Sequence, residues 1–232
     1  MKCSKVYDLF FQPGEVCEIR AYGLSRASKD WEGWAGGAGI VYGYFDNAAA
    51  FGQAAESLER HKAPGIYFTL NPVVPELLAR AANRLRAADM KSPTTADDDI
   101  LCLRWLPIDL DPKRPTGISS TDQEIEEAKK LARKIAAWLA TRECVDDYHA
   151  GFSGNGIHLV YRLPDLVNSE ESRELVRDLV IVLAARFTTA KVEVDQKVFN
   201  PARIWKLYGT TARKGDHTSA RPHRKSYLLE DI

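Results

Sequence analysis

Two aspartates, Asp109 and Asp111, lie two residues apart at the end of the apolar segment LCLRWLPIDLD (101–111). If that segment is a strand, its alternation places both side chains on the same face. Carboxylates this close repel each other unless a cation neutralises them, and carboxylate oxygens suit Mg²⁺ or Mn²⁺. Because Pro112 follows directly and aspartates favour turns, a plain strand-end turn is the alternative interpretation.

The segment SGNGIH (153–158) carries a second chemical feature, in which two glycines precede a histidine. Glycines such as Gly154 allow a backbone to approach a phosphate closely, and His158 follows on the next predicted strand. An ordinary hairpin turn would also explain the glycines, and a buried imidazole with hydrogen-bond partners would explain the histidine.

The third feature is a basic segment that begins just after Asp195. It contains eight basic side chains and one acid, Asp216; the basic residues are Lys197, Arg203, Lys206, Arg213, Lys214, Arg221, Arg224 and Lys225. Cations beside a carboxylate site can neutralise a triphosphate and the charge that develops when it is cleaved. A solvated basic surface is the alternative interpretation.

The downstream half of the chain predicts the element order β-α-β-β-α-β, the split βαβ or ferredoxin-like arrangement. Its strands are predicted at 101–111, 146–152, 156–163, VEVDQKVF (192–199) and RIWKLYG (203–209). Its first helix begins at a capping box formed by Thr121 and Glu124, with an apolar stripe that comprises Ile125, Ala128, Leu131, Ala132, Ile135 and Leu139. Its second helix runs from about Ser169 to Phe187, and Leu175, Leu179 and Leu183 are predicted on the inner face.

In this topology the first strand is expected at the centre of the sheet, between the third and the fourth strands. His158 would then lie beside the Asp109 and Asp111 end of the first strand, and Asp195 would arrive on the other side. The order of elements therefore predicts that three carboxylates and one histidine share a sheet face.

The upstream half predicts a small α/β module. Strands are expected at 15–22, 39–45 and 65–70, and helices from Asp46 or Asn47 to about His61 and over PELLARAANRLRAA (75–88). The turn-rich, acidic run MKSPTTADDD (90–99) predicts a surface loop or a linker between the halves.

Composition excludes several classes of protein. The chain has 232 residues, a formal net charge of zero and 45% hydrophobic residues, which argues against a disordered chain. It has no apolar run near the roughly 18 residues of a membrane span, and its N-terminal residues lack signal-peptide features. We therefore expect a soluble, cytoplasmic α/β (α+β) protein. The four cysteines, which form no CxxC pair, predict reduced thiols and no zinc site; they are Cys3, Cys17, Cys102 and Cys144.

Three segments together resemble the motifs of the archaeo-eukaryotic primase (AEP) superfamily, in the order that the family has them. They are IDLDP (108–112), SGNGIH (153–158) and VEVDQKVFNPARIWKLYGTTARKG (192–215). Within that superfamily the chain most resembles primase-polymerases of bacterial mobile elements, phages and plasmids. The upstream segments GYF (43–45) and YFTLNPV (67–73) are similar to the N-terminal module of that group.

The resemblance implies an N-terminal α/β module (1–100) packed on a ferredoxin-like, RRM-like catalytic palm (101–232). The two would form one functional domain, with the active site in the cleft between them. Asp109, Asp111 and Asp195 would be the catalytic residues and would bind two divalent ions, Mg²⁺ or Mn²⁺.

The resemblance also implies two sets of binding residues. Nucleotide phosphates would be bound by Ser153, Gly154, His158, Arg203, Lys206 and Lys214. The basic segment would hold the nucleic-acid backbone through Arg213, Arg221, Arg224 and Lys225. Bases would stack on exposed aromatic side chains, for which Trp31, Trp34 and Trp205 are the candidates.

The implied function is that of a DNA primase or primase-polymerase, a template-dependent nucleotidyltransferase. It would make or extend primers on single-stranded DNA from NTPs or dNTPs, with a fused or separate helicase as a candidate partner and no membrane. One alternative is a replication-initiator nicking endonuclease, although the nearby His149 and His158 do not form its His-x-His site. The other is a non-catalytic single-strand-binding module, although strand 101–111 lacks the paired aromatics of such modules.

Overall fold

The structure is a computed structural model that describes residues 2–34, 39–89, 91–142, 147–230 and 232. The helices are α1 (Ser4–Phe10), α2 (Ala48–Arg60), α3 (Asp122–Ala140) and α4 (Glu170–Phe187), and short 3₁₀ helices span Pro75–Arg80 and Asp97–Asp99. The strands are β1 (Cys17–Tyr22), β2 (Trp31–Glu32), β3 (Val41–Phe45), β4 (Gly65–Thr69), β5 (Leu85–Ala87), β6 (Cys102–Pro112), β7 (Tyr148–Phe152), β8 (Ile157–Val167), β9 (Val192–Val194), β10 (Ile204–Lys206), β11 (Thr211–Ala212), β12 (Arg224–Lys225) and β13 (Tyr227–Leu229).

The first of two compact units comprises Met1–Cys102 and Pro201–Thr211. Its sheet has the strand order β10-β4-β1-β3-β5-β2, and helices α1 and α2 pack against one another. Aromatic rings from the strands and helices, among them Phe45, Phe51 and Phe68, contact each other in the core. The predicted start of α2 is confirmed, since the Asn47 side chain accepts a hydrogen bond from the Ala50 N–H at 2.9 Å.

The predicted helix over 75–88 is wrong. Only its first turns form, as the 3₁₀ helix Pro75–Arg80, and its last residues form strand β5 beside β3. Asn83 takes a left-handed φ of 51°, and its N–H donates to the Tyr44 carbonyl at 2.8 Å. Hydrogen bonds to the edge of β3 therefore replace the helical ones. Leu85 and Ala87 are buried because strand alternation places both side chains on the inner face of the sheet.

The second compact unit comprises Leu103–Asn200 and Ala212–Ile232. Its sheet has the order β13-β7-β8-β6-β9, which confirms the prediction that the first strand lies between the third and the fourth. The capping box of α3 is confirmed by bonds of 3.2 Å to Thr121 Oγ1 and 2.8 Å to Glu124 Oε2. All six predicted apolar positions of α3 are buried.

The predicted inner face of α4 is wrong by one residue for most of its length. The buried residues are Val176, Val180, Leu183 and Ala184, whereas Leu175 and Leu179 are exposed. Both sets recur at helical spacing, so the pattern contains two adjacent apolar stripes. Helical spacing alone does not distinguish the two stripes, and packing in the second unit buries the stripe that contains Val176 and Val180.

This correction predicts an inverted order of mutational effects. Val180→Ala should lower the free energy of unfolding by about 1–3 kcal/mol because it leaves a cavity. Leu175→Ala removes more carbon atoms, yet it should change that free energy by only about 0.5 kcal/mol because Leu175 is 51% exposed. Denaturant unfolding of the two variants measures both values, and a larger loss for Leu175→Ala would contradict the assignment of the faces.

Strand β10 lies in the sheet of the first unit, where Lys206 pairs with Tyr67 of β4. The sequence had placed this segment among the strands of the downstream half. The compact units thus have different boundaries from the predicted domains 1–100 and 101–232. The division into functional domains stays a prediction. Within the described ranges, none of the helices combines the length and the apolar composition that a membrane span requires. Cys144 and Asp146, the first residue of the predicted strand 146–152, lie outside the described residues.

Candidate active site

Asp109 and Asp111 lie on one face of β6, as predicted. The intervening residue Leu110 and the preceding Ile108 are fully buried on the opposite face. The Asp109 side chain is 23% exposed and that of Asp111 is 47% exposed. Strand alternation thus puts hydrophobic side chains into the core and presents two carboxylates on the other side of the sheet.

Strand β9 adds two more carboxylates to this face. Its register pairs Asp111 with Glu193 and Leu110 with Val194, and the Asp195 N–H continues it by donating to the Asp109 carbonyl at 2.9 Å. Directly opposite residues of antiparallel strands point to the same side of the sheet. Asp195 therefore shares a face with Asp109, and Glu193 shares it with Asp111.

His158 joins the acids from β8. Its Nε2 lies 3.5 Å from Asp109 Oδ1, and its side chain is only 5% exposed. Its cross-strand partner on β7 is Gly151, which has no side chain to lie next to the imidazole. The structure therefore brings together His158 and the three predicted aspartates on one sheet face, while their roles stay predictions.

The side chain of Ser153 stabilises the turn between β7 and β8 by hydrogen bonds within the turn. Ser153 Oγ accepts hydrogen bonds from the Gly156 N–H at 2.9 Å and the Asn155 N–H at 3.3 Å. Gly154 has a φ of 99°, and a Cβ there would lie 2.6 Å from the Ala212 Cβ. Conformation and packing thus already require this glycine, and its proposed contact with a phosphate stays a prediction.

The basic segment is attached to the start of α3 by ion pairs. Arg221 contacts both carboxylate oxygens of Glu124 at 2.9 Å, and Arg224 donates to Asp122 at 2.6 Å. The same guanidiniums donate to the carbonyls of Ser119 and Ser120 at 2.7 Å. Two of the predicted nucleic-acid-binding arginines thus have clear structural contacts, and nucleic-acid binding by them stays a prediction.

The Glu124–Arg221 pair predicts a pH dependence of stability. Burial acts to raise the pKa of Glu124, but hydrogen bonds from Arg221 and the Thr121 N–H outweigh it and hold that pKa below its usual range. The contribution is therefore present above the unfolded pKa of about 4.3 and is lost as the pH falls. We expect Glu124→Gln to cost about 0.5–1.5 kcal/mol at pH 7 and progressively less towards pH 3. Denaturant unfolding across this range measures the difference, and a cost that does not change with pH would contradict the ion pair.

The remaining basic candidates have different surroundings. In the first unit, Lys206 is buried, and its Nζ donates to the Thr211 carbonyl at 3.2 Å and lies 5.8 Å from the centre of the Tyr67 ring. Arg203 is half-buried, and within the described residues its buried Nε has no hydrogen-bond partner. In the second unit, Arg213 is half-buried, and Lys214 and Lys225 are exposed.

The three tryptophans proposed for stacking differ in exposure. Trp31 and Trp205 are buried, at 6% and 2% exposure, and they belong to the core of the first unit. Trp34 is 64% exposed. Of the three, Trp34 alone presents a ring surface on which a base could stack.

Sequence reasoning missed three residues of this region. Glu193 could have been found, because the spacing Glu193-x-Asp195 repeats that of Asp109-x-Asp111. Asn155 lies between the two glycines of the predicted turn, and its Oδ1 accepts a hydrogen bond from the Ser120 N–H at 2.9 Å, which fixes the turn to the start of α3. The third, Arg114, gave no signal beyond a basic residue three positions after Asp111.

The donor types of the acidic face fit a hard divalent cation. Carboxylate oxygens are the ligands that Mg²⁺ and Mn²⁺ prefer, and the acids are partly exposed on one sheet face. Within the described residues, no three His, Cys, Asp or Glu side chains lie close enough to form a ready-made ion site. The metal assignment of Asp109, Asp111 and Asp195 therefore stays a prediction.

Two solved structures are similar to this chain. The chain is similar to the AEP domain of the primase-polymerase of cyanophage S-2L, with a TM-score of 0.52 and 10% identity over 99% of this chain and 88% of that one. The polymerase domain of Mycobacterium tuberculosis ligase D, solved in complex with DNA, matches with a TM-score of 0.49 and 15% identity over 97% of this chain and 78% of that one.

At the level of sequence, no family model and no curated protein matches the chain. The match to the phage domain nevertheless extends over almost the whole chain, so it includes both units. The resemblance predicted from the three motifs is confirmed at the level of the fold: the chain has an AEP-like, primase-polymerase-like fold.

Proposed function

We propose that this chain is a template-dependent nucleotidyltransferase of the AEP type, a primase or a primase-polymerase. The observation that carries the proposal is the convergence of Asp109, Asp111, Asp195 and His158 on one sheet face. These residues come from the three separate motifs. The AEP-like fold supports the proposal because it is found in a phage primase-polymerase.

In this proposal the acidic residues would bind metal ions, and the histidine and basic residues would bind phosphates. The carboxylates would bind two divalent ions, which supply the charge neutralisation and hydroxyl activation that phosphoryl transfer needs. His158, already fixed 3.5 Å from Asp109, would donate a hydrogen bond to a phosphate oxygen. Arg203 and Lys206 would neutralise the triphosphate, as cations do in other phosphoryl-transfer sites.

Incorporation of labelled nucleotides on single-stranded DNA tests the proposal. Primed and unprimed templates, NTPs and dNTPs, and Mg²⁺ and Mn²⁺ form the arms, and an Asp109→Ala/Asp111→Ala double variant is the control. Products on unprimed template that the variant does not make would establish a primase, and extension of primers alone would establish a polymerase.

Two outcomes would overturn the proposal. A covalent adduct between a tyrosine and a DNA 5′-phosphate would indicate a nicking endonuclease. Strong, metal-independent binding of single-stranded DNA without synthesis in any arm would indicate a binding module.

A further inference from the structure

Arg114 is a buried cation next to the acidic face. Its side chain is 5% exposed, and its Nε donates to the Ile118 carbonyl at 3.1 Å. Its Nη1 donates to the Pro112 carbonyl at 2.8 Å and lies 3.3 Å from Asp111 Oδ1. Because a buried guanidinium is costly unless it is paired, these contacts fix both the arginine and the turn that it spans.

These contacts restrict the carboxylate of Asp111. A side chain that is 47% exposed at the end of a strand would otherwise rotate in water. Arg114 holds Oδ1 through a hydrogen bond from its Nη1 at 3.3 Å. In the part of the chain that the structure describes, Oδ2 of Asp111 accepts no hydrogen bond.

The charge of Arg114 also suits its position. Asp111 and Glu193 face each other across β6 and β9, and like charges directly opposite destabilise a sheet. A fixed positive charge beside Asp111 lowers that repulsion, and it contacts Asp111 through Oδ1. An arginine supplies this charge with a fork geometry that a lysine lacks.

We propose that Arg114 is a positioning residue, which fixes Asp111 by one oxygen and leaves the other to bind a divalent cation. This inference rests on the proposed function, because it assumes that Asp111 is a metal ligand. Residues that orient metal ligands in this way commonly change metal affinity by about 10–100-fold when they are replaced.

Arg104 provides a matched control in the same unit. It too is a buried arginine, with a side chain 4% exposed, and it forms a two-point contact with Asp165 at 3.0 and 2.8 Å. It precedes Asp109 by an odd number of residues on β6, so its side chain belongs to the opposite face. Loss of Arg104 therefore tests the general cost of removing a buried arginine.

The experiment compares wild type, Arg114→Lys, Arg114→Met, Arg104→Lys and Asp111→Asn. Mn²⁺ binding to the chain is measured by electron paramagnetic resonance of the free ion, with and without nucleotide, and thermal unfolding checks each fold. Both Arg114 variants should weaken Mn²⁺ binding about 10–100-fold, whereas Arg104→Lys should leave it unchanged. Arg114→Lys keeps the charge, so it tests positioning even if Arg114→Met does not fold.

Incorporation supplies a second measurement. In the Arg114 variants, the Mn²⁺ concentration for half-maximal incorporation should rise by about the same factor, while the rate at saturating Mn²⁺ stays within about threefold. Unchanged affinity in Arg114→Lys, or tighter binding in Arg114→Met, would overturn the proposal. Asp111-dependent Mn²⁺ binding without incorporation would instead overturn the proposed function alone, and no Asp111-dependent binding by the wild type would overturn both.

Discussion

Replacing Asp109 with asparagine is expected to reduce nucleotide incorporation by about a thousandfold or more. Asparagine has nearly the same size, so the packing beside His158 and the backbone bond to Asp195 should persist. What the variant loses is a negative charge at the centre of the acidic face. If that charge holds a cation against the triphosphate, its loss removes stabilisation of the transition state rather than of the fold.

Asp178→Asn is the matched control for this prediction. Asp178 is 65% exposed on α4 and contacts only Arg177 of its own helix in the ion pairs described. Steady-state incorporation should be unchanged in this variant, and both variants should unfold at the wild-type temperature within a few degrees. Asp109→Asn with wild-type incorporation would show that the acidic face is not the catalytic site.

Gly156→Ala is the second change with a large expected effect. A Cβ at this position would lie 2.5 Å from the Leu110 carbonyl oxygen and 3.2 Å from Asp111 Oδ1. Because one contact is with backbone of β6, the strand or the turn must move. We expect about 1–3 kcal/mol of lost stability from overpacking, and at least a tenfold loss of incorporation because Asp111 is displaced.

Gly14→Ala separates this steric effect from backbone strain. Gly14 has a positive φ of 87°, and a Cβ there would meet nothing within 4 Å. This control in the first unit should therefore lose some stability and keep its incorporation at saturating substrate. If Gly156→Ala retained both wild-type stability and wild-type incorporation, the close approach of the turn to β6 would be contradicted.

The central features of the second unit could be predicted because they depend on local rules. The capping box at Thr121 and Glu124 and the alternation around Leu110 each follow from a few neighbouring residues. The strand order then brought His158 beside Asp109, since a split βαβ leaves few alternative arrangements.

Other features depended on tertiary contacts that no local pattern contains. The predicted helix over 75–88 does not form because its residues form hydrogen bonds with the edge of β3 instead. Asn83 makes this possible by adopting a positive φ. The buried face of α4 could not be identified from the sequence because Leu175 and Val176 begin two adjacent apolar stripes.

Arg114 could not be predicted because its role depends on burial and on carbonyls that the turn brings together. Its neighbours in sequence resemble any charged turn. Arg221 and Arg224 illustrate the same difficulty, since a basic segment in the sequence gives no sign that Glu124 and Asp122 already pair with it.

The most direct test of the proposed function is single-nucleotide incorporation on a single-stranded DNA template of defined sequence. Each labelled nucleotide is supplied alone, with Mg²⁺ or Mn²⁺, opposite each of the four template bases. We predict that the wild type incorporates the complementary nucleotide and that Asp109→Asn does not. Equal incorporation of all four nucleotides whatever the template base, or none by the wild type with either ion, would contradict a template-dependent nucleotidyltransferase.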